Sequence, residues 1–169
     1  GCAFPAADGC RPENALTGTI FTVNGYINHN MILTAEYGSL RLWRNTAVAS
    51  LPPGGSIDFG AGTLGFEWDE DLDNGFRPPG LIHLSTTTRD VPLYLQDYGS
   101  SYAPGIATHH LTLYKAPSGA RVFGAGTVQW AWGLDQNHDT YYGGAGPPVQ
   151  PSMQQATMNL FADMGDVQP

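Results

Sequence analysis

Basic side chains are scarce in this 169-residue chain: 7 Lys and Arg stand against 15 Asp and Glu, a formal net charge of −8. No basic stripe is present to follow a phosphate backbone, so nucleic acid is not expected as a partner. Long apolar runs are also missing, and none approaches the roughly 18 residues of a membrane span. The opening Gly1-Cys2-Ala3-Phe4-Pro5 has neither the charged start nor the apolar stretch of a secretory leader. That suits a mature product or a piece of a longer protein. Cysteine is limited to Cys2 and Cys10. Their spacing permits a small disulfide loop in an oxidising compartment, with two free thiols as the alternative. We expect them joined, contributing roughly 2–3 kcal/mol less any strain. With no His beside them they make a poor metal site. No Gly-x-Ser-x-Gly elbow occurs, and no Cys stands in a set with a His and an Asn, so no Ser or Cys nucleophile is indicated. Gly124-x-Gly126 is too short for a dinucleotide fingerprint.

What is present reads as one extracellular domain. Only 13% of residues are charged, and Gly (22) and Pro (13) are abundant. A chain of this length buries about two-thirds of its unfolded surface, enough for a sizeable core. Residues 1–16 read as an irregular lead-in and 17–169 as a single domain.

One stretch concentrates the charge. Glu67, Asp69, Glu70, Asp71 and Asp73 fall within seven residues, between Phe66, Trp68 and Phe76. Carboxylates this close raise one another's pKa unless cations or donors compensate. A solvated loop or a strand cap would explain such a run. The flanking aromatics argue for more. On a strand, Glu67 points opposite to Phe66 and Trp68. If those two face the core, Glu67 faces a pocket or a second buried layer, so Glu67 is expected buried and Glu70 exposed. Asp69, Asp71 and Asp73 followed by Gly75 resemble the front of a calcium loop. The glycine comes one position late, however, and the twelfth position is Gly80 rather than an acid. A looser oxygen-ligand calcium site on Asp69, Asp71 and Asp73 stays open.

Periodicity places the rest. Thr17 to Asn24 alternates as a half-buried strand. Leu40–Trp43, Leu64–Trp68, Leu81–Ser85, Ala107–Tyr114 and Arg121–Phe123 read as further strands. Pro52-Pro53-Gly54-Gly55 and Gly60-Ala61-Gly62 read as turns, and 97–104 as a loop. Thr127 could cap a helix through Leu134. A last helix begins near Pro151-Ser152, with Ser152 as N-cap, Met153, Ala156, Leu160 and Met164 on one face, and Gly165 as C-cap. The sum is a mixed α/β fold dominated by sheet, with one or two helices near the C-terminus. The five histidines show no zinc spacing. His83 fits a strand face. His138, in Asp135-Gln136-Asn137-His138-Asp139, lies in a polar loop that lines a pocket or a solvated turn. The tryptophans suit a core better than a sugar-stacking platform.

Four stretches together carry a resemblance: Leu40-Arg41-Leu42-Trp43-Arg44-Asn45-Thr46, the acidic run from Gly65 to Phe76, Val122 to Leu134, and the tail from Met153 to Gly165. The chain from Arg11 onward resembles the C-terminal region of proteins similar to the large (beta) subunit of N,N-dimethylformamidase. The likeness is strongest to long secreted actinobacterial multidomain members. The resemblance implies an amidotransferase-like α/β domain whose sheet is completed by residues upstream. It also implies hydrolysis of amide C–N bonds at a mononuclear iron, held by two tyrosines and a glutamate outside this chain. Asn24 and Glu67 are then candidate catalytic groups that orient or deprotonate a water, with His138 a third candidate. The alternative is a non-catalytic extracellular module binding calcium through the acidic loop, or carbohydrate or a partner chain through aromatics. Residues 17–115 offer strands without a convincing helix. An apolar face or sheet edge is therefore expected to be covered by another chain, another copy or the N-terminal part of the same protein.

Overall fold

The computed structural model describes residues 11–97, 101–137 and 149–165. The expected Cys2–Cys10 bond and the His138 loop lie outside the described residues.

Two long strands organise the chain. Strand β1 (Ile20–Thr34) and strand β2 (Ser56–Glu70) pair antiparallel from Ile20↔Glu70 to Thr34↔Ser56. Strands β4 (Thr87–Leu95) and β5 (Tyr102–His109) extend this sheet in the order β2-β1-β4-β5. A smaller sheet holds β3 (Ile82–His83), β6 (Thr112–Lys115) and β7 (Arg121–Gly124) in the order β3-β6-β7. Every strand pair is antiparallel. The sheet-dominated fold read from the sequence is the fold observed, and helix α2 (Pro151–Met164) stands near the C-terminus as expected. A short helix α1 (Asn14–Thr17) interrupts the segment expected to be irregular.

The β1–β2 pair is not regular. Between Val23↔Trp68 and Ile27↔Phe66, β1 advances four residues while β2 advances two. Extra residues on one strand bend the ladder and increase its twist. Two backbone positions absorb the bend: Gly25 has φ +109° and Phe66 has φ +64°. Such φ values suit glycine and strain a phenylalanine. Gly60-Ala61-Gly62, expected as a turn, lies inside β2, where the register shifts between His29↔Leu64 and Asn30↔Ala61.

Other differences have local causes. Leu40–Trp43 was expected extended but forms a 3-10 turn over Arg41–Trp43. Leu42 and Trp43 are adjacent and both buried, which an alternating strand does not allow. Ala107–Tyr114 divides at His110-Leu111 into β5 and β6, which belong to different sheets. The helix expected from Thr127 to Leu134 is a 3-10 turn over Trp130–Gly133. At α2, Gln150 is the N-cap and Pro151 occupies the first turn, where its missing N–H costs nothing. Gly165 closes the helix with φ +91° as expected.

The core lies between the large sheet, α2 and the turns at residues 41–50. Met31, Leu33, Trp43, Phe59, Leu64, Trp68, Leu84 and Met153 are all fully buried. The Trp43 indole donates to the Leu84 carbonyl (2.8 Å) and meets Phe59 edge-on at 6.0 Å. Trp130 packs against the core, and its indole donates to Thr157 Oγ1 (3.3 Å). The core reading of these tryptophans therefore holds for Trp43 and Trp68. On α2, Asn159 is buried among apolar neighbours. Its amide donates to the carbonyls of Leu42 (2.7 Å) and Arg44 (2.8 Å), joining the helix to the turn below it.

This junction gives a stability prediction. Asn159→Ala leaves two carbonyls without their donor, and should cost roughly 1–3 kcal/mol. Urea unfolding should show a lower midpoint with an unchanged m-value. A midpoint equal to that of the parent would show that the junction is held by apolar packing alone.

Candidate functional site

The acidic run stands at the end of β2, and strand alternation distributes it. Trp68 faces inward with no exposure. Glu67 and Asp69 therefore face outward, and Glu70 follows Trp68 inward. This reverses the expectation for the two glutamates: Glu67 is exposed, and Glu70 is only 6% exposed. Burial of Glu67 would have required an enclosed pocket or a second buried layer opposite Trp68. The outer face of β2 is instead open. Glu70 finds a partner inside the curled sheet, where its Oε1 accepts the Thr108 N–H of β5.

Glu67 and Asp69 line a hollow of about 370 Å³ together with Glu13, Thr17, Phe21 and Thr127. The Asp69 backbone N–H donates to the Gly126 carbonyl (2.8 Å), which brings the segment after β7 against the edge of β2. The Asp69 carboxylate accepts from Thr19 Oγ1 (2.9 Å). Burial raises the Asp69 pKa above the usual carboxylate value, Glu13 and Glu67 push the same way, and the Thr19 hydrogen bond opposes them. Glu13 enters through α1 and accepts the Phe21 N–H on Oε1 (2.6 Å). Among the described residues, no Lys, Arg or His lines this hollow. Glu13 was invisible as a site residue in the sequence, because only the fold brings it beside Asp69.

The other two aspartates go elsewhere. Asp71 Oδ1 and Oδ2 both accept from Arg77 Nε (2.8 Å each), and Oδ2 also meets His83 Nε2 (2.7 Å). The Asp71 carboxylate is 2% exposed. Burial works to raise its pKa, but the hydrogen bonds and charges of Arg77 and His83 outweigh it and hold the pKa low. His83 in turn stacks on His110 at 3.7 Å. Asp73 accepts the Gly75 N–H on Oδ1 (3.2 Å) and closes a turn. Asp69, Asp71 and Asp73 thus have three separate sets of partners. Among the described residues, no three His, Cys, Asp or Glu side chains are grouped as a metal shell. The donors among the described residues do not form a set that fits a mononuclear iron centre.

A third cluster lies inside the sheet. His109 is fully buried, and its Nε2 donates to the Ala125 carbonyl (2.8 Å). A carbonyl only accepts, so Nε2 carries the proton and Nδ1 presents a lone pair. Trp68 stands edge-on to His109 at 6.0 Å and to His29 at 6.3 Å. His109 Nδ1, Trp68 Nε1 and both amide atoms of Gln129 are buried without a hydrogen-bond partner. Gln129 closes over Gly65, where any side chain would collide with its amide. Asn24 stands half-buried in the β1 bulge and does not line the Glu67–Asp69 hollow.

The model for the C-terminal region of N,N-dimethylformamidase beta subunit-like proteins matches residues 3–141. The chain belongs to this family. No curated protein matches it. The dimethylformamidase-like match takes in all seven strands of the described structure and every residue of the acidic hollow, while α2 lies beyond it. As a C-terminal domain, the chain belongs in the context of a larger protein or subunit. None of the described helices is long and apolar enough to cross a membrane.

The histidines of this dimethylformamidase-like domain set its acid response. Burial lowers both His109 and His110 to about 4. In the unfolded chain each titrates near about 6.5. Between those values the unfolded state binds more protons, so stability is complete above about 6.5 and falls as the pH drops towards 4. Urea midpoints should therefore decline from pH 7 to pH 5, above the range of ordinary carboxylates. His109→Gln should flatten that slope. A midpoint constant down to pH 5 in the parent chain would contradict the assignment.

Proposed function

We propose that this chain is the C-terminal part of an extracellular multidomain hydrolase of amide C–N bonds, and that it completes an active site shared with the region upstream. Membership of the dimethylformamidase-like family supports the reaction class. The observation that carries the role of this chain is the Glu13–Glu67–Asp69 hollow.

Amide hydrolysis requires two proton movements. A base takes a proton from the attacking water, and an acid gives one to the departing nitrogen. A carboxyl group works in both directions only when its pKa is lifted towards the working pH. Asp69 is the group in this hollow that burial and like charge push that way. Thr19 holds one of its oxygens in place. Glu67, exposed on the same face, suits orientation of a polar substrate or of the amine product, which is cationic once protonated. Any metal of the shared centre is held by residues outside this chain, and the share of this chain is proton transfer and substrate orientation. A polypeptide or subunit carrying the upstream region is the required partner.

The test uses the protein with its upstream region and N,N-dimethylformamide or another small tertiary amide as substrate. Asp69→Asn should lower kcat by about 10²–10⁴ and shift the pH profile. Glu67→Gln should act mainly on KM. Full activity in Asp69→Asn would remove the hollow from the mechanism. Absence of amide hydrolysis by the complete parent protein would remove the reaction class.

A further inference from the structure

A second recess has the opposite character. It lies between α2, the turn at 41–43 and the small sheet, and it has a volume of about 150 Å³. Leu42, Leu84, Leu113 and Leu160 form its walls, with Ile82 at the mouth. Leu84 and Leu160 are buried, whereas Ile82 is 46% exposed. An apolar cavity of that size holds a benzene-sized group. Aliphatic walls offer no hydrogen bonds, so the inserted group must itself be apolar.

The rim is basic. Arg121 lines the recess from β7 and pairs across the ladder with Lys115 of β6. Directly opposite residues on an antiparallel pair share a face, and like charges there are unfavourable. Neither side chain takes part in the ion pairs found among the described residues. Asp163 on α2 also lines the recess, but two guanidinium groups hold it: Arg41 at 2.8 Å and Arg44 at 3.0 Å. One carboxylate against two arginines leaves one positive charge in excess, and Lys115 and Arg121 add two more. Arg41 and Arg121 thus line the recess, Arg44 reaches it through Asp163, and Lys115 is the cross-strand neighbour of Arg121, in a protein of net charge −8.

We propose that this recess binds a small amphipathic carboxylate, its apolar group among Leu42, Leu84, Leu113 and Leu160 and its carboxylate against Arg121 and Lys115. The bound anion relieves the repulsion between the two cations. Arg121 makes the stronger contact, because a guanidinium pairs both carboxylate oxygens at once. The site shares no residue with the Glu13–Glu67–Asp69 hollow, so it stands independently of the amide-hydrolase reading.

Titration of the isotopically labelled chain with benzoate at pH 7, followed by amide and methyl shifts, tests the proposal. Saturable shifts should centre on Leu113, Leu160 and Arg121. Benzyl alcohol, which keeps the ring without the charge, and acetate, which keeps the charge without the ring, should each bind at least roughly tenfold more weakly. Arg121→Gln, an exposed position that leaves the core intact, should weaken benzoate roughly tenfold, and Lys115→Gln less. The proposal fails if benzoate does not saturate at tens of millimolar, or if its shifts map elsewhere. It also fails if benzyl alcohol binds as tightly as benzoate, or if Arg121→Gln leaves the affinity unchanged.

Discussion

The position of Trp68 is the constraint on which the rest depends. Its indole is fully buried at the point where the β1–β2 ladder bends, with His29 and His109 at its edges and Thr127 bridged to its backbone. Once that ring faces inward, the period of two fixes every carboxylate around it. Glu67 and Asp69 must face out, and Glu70 must face in. The β1 bulge and the left-handed backbone at Phe66 let the strand carry so large a side chain into the curled sheet. The arrangement has a cost. Trp68 Nε1, His109 Nδ1 and the Gln129 amide are buried with no hydrogen-bond partner among the described protein groups, and a buried polar group left so is unfavourable.

The acidic run therefore never acts as a unit. Five carboxylates close together in sequence reach four environments. Asp71 is neutralised by Arg77 and His83, Glu70 is taken into the sheet, and Asp73 closes a turn. Only Glu67 and Asp69 remain together, and Glu13 joins them from the other end of the sequence. Repulsion between neighbours, the natural inference from the sequence, is mostly avoided by alternation. Where it survives, at Asp69, burial acts in the same direction.

Much of the fold was legible because it rests on local pattern. The α2 helix follows from the spacing of Met153, Ala156 and Leu160 and from Gly165. The strand from Leu64 to Trp68 follows from its apolar run. Other elements depended on contacts distant in sequence. Leu42 and Trp43 look like strand residues, but both must be buried, one against α2 and the other against Leu84, and only a turn allows that. Glycines at 60 and 62 punctuate a strand where they relieve a register shift, and in sequence they resemble a turn. At the site, strand parity was read correctly for Glu67. Its environment was not, since parity tells which residues share a face and not which face is covered. Glu13 and the His83–His110 stack carried no sequence signal, because each is made by a tertiary contact.

The scarcity of cations gives the remaining charges their meaning. In a chain with 7 basic residues, most are committed: Arg77 to Asp71, Arg89 to the Asn30 carbonyl, and Arg41 and Arg44 to Asp163. A folded surface can usually offset a local excess by placing an opposite charge nearby, at little cost. Two places on this molecule do not. Three carboxyl groups share a hollow that no cation lines among the described residues, and Lys115 faces Arg121 across a strand pair beside an apolar recess. The first excess adds to burial in lifting the proton affinity of Asp69. The other leaves two cations in unfavourable register. Neither is needed to build the core, which is apolar. A bound group of opposite charge would relieve each, a proton or a protonated amine in the first and an anion in the second.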